Sequence, residues 1–128
     1  MSKHGDWYWH ELTTPDAEGA KRFYKAVAGW DSRDQDMGEM GTYTLWTRDG
    51  ADHGGMMKME GPMWDGIPPH WMLYIAVDDC DASKAAVEAN GGKVKYGPIE
   101  APGVGRFIGC EDPQGAVFTL MQPEAAAG

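Results

Sequence analysis

Polar and apolar residues alternate with a period of two along residues 6–13, as in a strand with two different faces. One predicted face carries Trp7, Trp9, Glu11 and Thr13, and the other carries Tyr8, His10 and Leu12. A helical period follows, with Thr14 as the predicted N-cap and Gly29 as the stop. Its predicted buried stripe consists of Ala20, Phe23, Tyr24 and Val27. The chain therefore opens with a strand and then a helix.

The second half of the chain repeats this order of elements. In the first half, residues 31–41 read as a short strand or loop, followed by strands at 42–47 and 54–59. In the second half we predict a strand at 71–77, a helix at 80–90, a strand or loop at 93–97, a Pro/Gly segment at 98–105, and strands at 106–111 and 116–121. The turns at Gly50 and Gly115 lie about half a chain length apart, which indicates a duplication.

The duplication predicts an α+β fold of two tandem βαβββ modules. The first module spans residues 1–59, a proline-rich linker spans 60–69, and the second module spans 70–128. Two such modules side by side would form a curved mixed sheet, a half-barrel with its helices on the convex side and a cavity on the concave side.

Composition and charge exclude several classes of protein. The chain has 128 residues, 42% of them hydrophobic, so it can form a core, and its net charge of −9 argues against nucleic-acid and anionic-membrane partners. No apolar run approaches the roughly 20 residues of a membrane span, and no signal peptide is recognisable. We expect a cytoplasmic protein. Cys80 and Cys110 form no CxxC motif and fit buried, reduced thiols.

Several motifs together resemble one superfamily. They are the duplicated strand–helix–strands order, Phe23-Tyr24 and Gly29-Trp30 around the end of the first helix, and the Asp-Pro-Gln-Gly turn at 112–115. In these features the chain resembles the vicinal oxygen chelate superfamily, which includes glyoxalase I, extradiol dioxygenases and bleomycin-resistance proteins. The resemblance implies the half-barrel fold. Because this superfamily contains both enzymes and pure binding proteins, it leaves open whether the chain is an enzyme.

The resemblance also implies four positions where the superfamily's divalent-metal ligands would lie. In this chain they fall at Trp9, Met72, Thr119 and Gly54 or Gly55. Indole and glycine offer no side-chain ligand, and thioether and hydroxyl groups are weak substitutes for imidazole and carboxylate. We therefore expect no metal cofactor.

A displaced metal site is the alternative. Glu11 and His70, with His53 as a third ligand, would make the chain a metal-dependent lyase, isomerase or dioxygenase. Without such a metal site, Glu11 is a carboxylate at the cavity rim and His70 is a linker histidine with no ligand role. His10, on the other face of the first strand, is predicted to be a buried core imidazole under the helix.

The preferred hypothesis is a binding protein for a small organic molecule. Its predicted ligand-binding residues are Trp7, Trp9, Glu11, His70, Met72, Tyr74 and Thr119, and Met56 and Met121 are further candidates for the same concave face. The net negative charge favours a cationic or neutral ligand. Alternatively, these side chains could simply fill the concave side of the sheet or pack in a subunit interface. The resemblance also implies a homodimer.

Overall fold

The computed structural model describes residues 3–38, 41–101 and 103–124, which form two compact units. Trp9–Met72 is called the central unit here. The described residues before and after it, 3–8 and 73–124, are called the terminal unit. In this described part of the chain, no helix is both long and apolar enough to cross a membrane.

The helices and strands follow the predicted order. They are β1 (Trp7–Thr14), α1 (Ala17–Ala28), β2 (Asp31–Asp36), β3 (Thr42–Arg48), β4 (Ala51–Lys58), β5 (His70–Ala76), α2 (Cys80–Ala89), β6 (Lys93–Ala101), β7 (Gly105–Glu111) and β8 (Val117–Pro123). A single 3₁₀ turn at Pro62–Trp64 lies between β4 and β5. The α+β class and the tandem βαβββ order are confirmed.

The central unit is a mixed sheet with α1 on one face. Its strands run in the order β2-β3-β4-β1, with β1 parallel to β4 and the other pairs antiparallel. The buried core under α1 consists of Leu12, Trp46 and Met56, against which Ala17, Ala20, Tyr24 and Trp30 pack. The rings of Tyr24 and Trp30 stack with centroids 5.3 Å apart. Aromatic packing therefore fastens this helix to its sheet.

The start of α1 lies later than predicted. Asp16, not Thr14, is the N-cap, because its carboxylate accepts a hydrogen bond from the Gly19 amide at 2.9 Å. Thr14 is the last residue of β1 and is still paired with Lys58 of β4, so it cannot leave the strand to cap a helix. A carboxylate also suits the positive end of the helix dipole.

Two residues of the predicted buried stripe face solvent. Phe23 is 57% exposed and Val27 is 66% exposed. The stripe consists instead of Ala17, Ala20 and Tyr24, which are also spaced for one helix face. The large rings of Trp30 and Trp46 already fill the space above the sheet. The interface between α1 and the sheet therefore accommodates small residues and one tyrosine.

The prediction of a buried His10 was wrong. His10 is exposed, whereas Leu12, on the same strand face, is only 6% exposed. The helix packs over Leu12 together with Trp46 and Met56, and it leaves the earlier part of the strand uncovered.

The terminal unit has the same plan. Its strands run in the order β5-β8-β7-β6, with β5 parallel to β8, and the residues just before β1 exchange backbone hydrogen bonds with Ala76. The core on the α2 side consists of Val77, Cys80, Ile108, Cys110 and Leu120. Both thiols are buried and free, as predicted, and burial raises the pKa of Cys110 to about 11.

Strand β6 continues into the predicted Pro/Gly segment. It extends to Ala101, and residues 99–101 are paired with β7. The pairing shifts register around Tyr96 and again before Ile99, and these irregularities accommodate Gly97 and Pro98. Glycine and proline here mark a distorted strand, not its end.

Removing a buried side chain of the α2-side core should cost stability. For Ile108→Ala, at a fully buried position, we expect a loss of about 2–5 kcal/mol in the free energy of unfolding, measured by urea denaturation. Ile67→Ala is the matched control, because Ile67 is 43% exposed and should change that free energy by about 0.5 kcal/mol or less. Equal losses in the two variants would contradict this assignment of the core.

Candidate functional site

A chain of three hydrogen-bonded side chains lies on the face of the central unit that points away from α1. Trp9 Nε1 donates to Tyr43 Oη at 3.0 Å, and Tyr43 Oη donates to Glu11 Oε2 at 2.6 Å. Glu11 is only 6% exposed. A donor to a carboxylate at this distance forms a strong, charge-assisted hydrogen bond. These hydrogen bonds therefore hold the buried carboxylate of Glu11 in a fixed position.

Glycine at position 55 makes room for this arrangement. Gly55 is the register partner of Glu11 in the parallel pair β1–β4. A Cβ atom at position 55 would collide with the hydroxyl end of the Tyr43 ring. The phenol therefore lies where a side chain at 55 would be, directly beside the carboxylate.

The protonation state of Tyr43 follows from its surroundings. Burial, and then the charge of Glu11 and the hydrogen bond to it, raise the pKa of Tyr43 well above its ordinary value, although the hydrogen bond from Trp9 acts in the opposite direction. The phenol therefore stays protonated over the physiological range. It serves as a hydrogen-bond donor to Glu11 and not as a base.

Two further predicted site residues, His70 and Met72, lie at the start of β5 on either side of Trp71. Trp71 donates from Nε1 to Tyr24 of α1 at 3.2 Å, so Trp71 faces the helix. His70 and Met72, its neighbours, alternate to the opposite face, the one that carries Glu11. His70 is half-buried and donates from Nδ1 to the carbonyl of Pro68 at 2.9 Å.

The third member of the displaced metal set lies elsewhere. The His53 ring packs edge-on against Trp30, with centroids 4.7 Å apart, and Trp30 belongs to the core under α1. A register shift in the β3–β4 pairing beside His53 accounts for this orientation. Among residues 3–38, 41–101 and 103–124, no three His, Cys, Asp or Glu side chains come together as a metal site would require.

The terminal unit brings together two other predicted site residues. Tyr74 of β5 and Thr119 of β8 are direct register partners, and they are 8% and 0% exposed. Their neighbours Ile75 and Leu120 pack on the α2 side, so Tyr74 and Thr119 point to the opposite face. Met121 is buried on the same face of β8. Trp7, by contrast, is 63% exposed.

One residue of the candidate site was missed in the sequence, and one predicted residue lies on the other face. Tyr43 was not among the predicted site residues, although a glycine inside a strand often marks a close approach by another group. Met56 was a candidate for the cavity face, but it lies 2% exposed in the core under α1. Its register partner is Leu12, whereas Gly55 pairs with Glu11, so the one-residue difference decides the face.

The sequence of the chain places it in a known family. Residues 9–120 match the model of the Glyoxalase/Bleomycin resistance protein/Dioxygenase superfamily, and the chain belongs to that superfamily. The resemblance predicted from the sequence motifs is thereby confirmed.

Curated relatives share a substantial part of the sequence. The chain is 37% identical over 123 residues to "Putative glyoxylase CFP32" of Mycobacterium bovis, a match that covers 96% of this chain and 46% of the relative. It is 30% identical over 131 residues to anthracycline biosynthesis protein DnrV of Streptomyces peucetius, covering 94% of this chain and 48% of the relative. The chain thus spans about half the length of the curated relatives it matches.

A solved structure shows the same fold at low identity. Methylmalonyl-CoA epimerase of Mycobacterium tuberculosis superimposes with a TM-score of 0.64 at 18% identity, covering 94% of this chain and 89% of that one. At this identity the likeness concerns the fold alone.

The contact between Gly55 and Tyr43 can be tested by adding a methyl group. Gly55→Ala should displace the phenol from Glu11 and lower the free energy of unfolding by about 1–3 kcal/mol, measured by chemical denaturation. In the Tyr43→Ala background the same substitution should cost much less, because the colliding ring is absent. Additive losses in the double variant would show that the two residues do not compete for this space.

Proposed function

We propose that the chain binds a small organic molecule on the face of the central unit that carries Trp9, Tyr43 and Glu11. In this proposal the indole of Trp9 supplies a flat contact surface, and Glu11 provides the fixed negative charge. His70 and Met72, on the same side of the unit, contribute an imidazole and an adaptable thioether. Tyr43 is a positioning residue that holds the carboxylate in place.

The burial of Glu11 is the observation that carries the proposal. Removing a carboxylate from water is costly, and hydrogen bonds such as the one from Tyr43 are needed to offset that cost. Stability alone would be served as well by an apolar residue at this position. A buried carboxylate held by a dedicated partner is therefore better explained by a function than by packing.

The charge of the protein favours a particular class of ligand. With a net charge of −9 and a carboxylate at the site, a planar cationic or neutral molecule is favoured over an anion. The relative DnrV is named for the biosynthesis of anthracyclines, and that name is compatible with an organic ligand.

We also propose that this binding needs no divalent metal. At the positions where the resemblance places the superfamily's ligands, this chain has Trp9, Gly54 or Gly55, Met72 and Thr119, and these residue types do not fit a hard divalent ion. Tyr43 already occupies the space beside Gly55, and its hydroxyl donates a hydrogen bond to Glu11. The donor chemistry thus supports a metal-independent site.

Trp9 is the residue whose loss should weaken binding most directly. Proflavine, a planar aromatic cation, serves as the probe in isothermal titration calorimetry. We expect Trp9→Ala to weaken its binding about tenfold, as loss of a cation–π contact would. Phe23→Ala is the control, because Phe23 is an exposed ring on α1 and should leave the affinity unchanged.

Two outcomes would overturn this placement of the site. The first is unchanged proflavine affinity in Trp9→Ala, and the second is equal weakening by Phe23→Ala. The planar anion anthraquinone-2-sulfonate should bind more weakly than proflavine, and the difference should shrink as salt is added.

Removal of metal tests the proposal that binding needs no divalent ion. After dialysis against EDTA, proflavine affinity and the melting temperature should stay unchanged, and adding back Mn²⁺, Ni²⁺ or Zn²⁺ should not raise either. Stoichiometric metal in the purified protein, measured by mass spectrometry, together with a lower melting temperature after EDTA, would contradict it. Glu11→Gln and His70→Ala would then show whether these side chains hold the ion.

A homodimer, which the resemblance implied, remains part of the proposal. Sedimentation equilibrium over a range of concentrations measures the association directly. A single species with the mass of one chain at all concentrations would rule it out.

A further inference from the structure

The two modules differ at one position on the side of the sheet that faces the helix. In the terminal unit, a row of three apolar side chains crosses β5, β8 and β7 on the α2 side: Ile75, Leu120 and Ile108. In the central unit, the corresponding row crosses β1, β4 and β3 on the α1 side: Leu12, Met56 and Thr44. A threonine therefore stands where the other module has a fully buried isoleucine.

Thr44 belongs to a polar group of side chains between α1 and the sheet. It is only 7% exposed, and its Oγ1 atom donates a hydrogen bond to Oδ1 of Asp34 in β2 at 2.7 Å. Nζ of Lys21, in α1, lies 3.3 Å from the same carboxylate oxygen and 2.8 Å from Glu18 Oε2. The hydrogen bond from Thr44, together with Lys21, holds the pKa of Asp34 below its ordinary value, so this carboxylate is ionised at neutral pH.

A cavity of about 270 Å³ lies beside this polar group, between the first turns of α1 and strands β2, β3 and β4. Met56 and Ala17 belong to its apolar lining, and Thr44 and Asp34 belong to its polar lining. Because Ala17 is small and Thr44 takes the place of an isoleucine, the core under α1 does not fill this space. The cavity lies on the α1 side of the sheet, whereas the Trp9–Tyr43–Glu11 chain lies on the opposite face.

The hydroxyl of Thr44 offers the cavity an acceptor and no donor. A hydroxyl group has one hydrogen and two lone pairs, and the hydrogen of Thr44 is used in the bond to Asp34. Within the part of the chain that the structure describes, Thr44 Oγ1 accepts no hydrogen bond. The carboxylates that line the cavity are also acceptors, so a ligand that fits these groups must bring hydrogen-bond donors.

The charges around the cavity favour a cation. The lining contains three carboxylates and two ammonium groups: Asp16, Glu18, Asp34, Lys21 and Lys58. Lys58 forms an ion pair with Glu60 at 3.2 Å, and Glu60 does not line the cavity. Lys21 alone therefore faces the three carboxylates, and the lining keeps an excess of negative charge that attracts a positively charged donor.

We propose that this cavity is a second ligand site, which binds a primary alkylammonium ion. The ammonium group donates hydrogen bonds to Thr44 Oγ1 and to the carboxylate of Asp34, and a short alkyl chain packs on Met56 and Ala17. Lys21 is a positioning residue that holds Asp34 from the α1 side. The site lies on the opposite face of the sheet from the Trp9–Tyr43–Glu11 chain, and the inference does not depend on that chain.

Three probes with the same alkyl chain test the proposal: n-butylammonium, 1-butanol and butyrate. Binding is followed at neutral pH by NMR titration of the Thr44 and Ala17 amides, which report on this cavity and not on the opposite face. We expect n-butylammonium to bind about tenfold more tightly than 1-butanol, and butyrate to leave these amides unshifted. The preference for the ammonium ion should shrink as salt is added.

A matched pair of carboxylate variants locates the site. Asp34→Asn keeps the shape of the side chain and removes its charge, so it should weaken n-butylammonium binding about tenfold. Asp31→Asn is the control, because Asp31 lies on the same strand, pairs with Lys25 at 2.6 Å and does not line the cavity. It changes the net charge equally and should leave the affinity close to that of the wild type.

Thr44→Val separates a binding role from a structural one. It keeps the side-chain volume and removes the acceptor, so n-butylammonium affinity should fall about fivefold, whereas Thr44→Ser should retain most of it. If Thr44 is merely structural, Thr44→Val changes the melting temperature and leaves the affinity as in the wild type, and the proposal fails. Absence of n-butylammonium binding to the wild type, equal binding of the three probes, or equal weakening by Asp34→Asn and Asp31→Asn also overturns it.

Discussion

The parallel pairing of the first and last strands of each module is the constraint on which the rest of the structure depends. In the central unit it aligns Glu11 with Gly55, and in the terminal unit it aligns Tyr74 with Thr119. Because side chains on a strand alternate, each alignment fixes which residues face the helix and which face away. A shift of one residue would turn Met56, the neighbour of Gly55, to the face away from α1, and the core under α1 would be lost.

Glycine gives the two modules a shared device. In each, a tyrosine ring occupies the space beside a strand glycine, Tyr43 over Gly55 and Tyr96 over Gly109. The first ring is hydrogen-bonded to Trp9 and Glu11 and is largely buried, and the second is 44% exposed and packs edge-on against Phe107. The same local geometry therefore recurs in both modules.

Much of the fold could be predicted from the sequence because its signals are local. Period-two alternation, the helical period, the Gly29 stop and the repeated turns all depend on residues close together in the chain. The errors arose where neighbours from other strands decide. Thr14 stays in β1 because β4 pairs with it, and Phe23 and Val27 are exposed because Trp30 and Trp46 fill the space above the sheet.

For the candidate site, the sequence by itself determined the residue types and the strand faces of Trp9 and Glu11, and it predicted only weak metal ligands or none at the positions that the resemblance implied. Only the tertiary structure decided that Tyr43 joins Trp9 to Glu11, that His53 turns to the core under α1, and that the Thr119 hydroxyl is buried without a partner in the described chain. The physical reason is that hydrogen bonds and burial depend on strand register, which joins residues far apart in sequence.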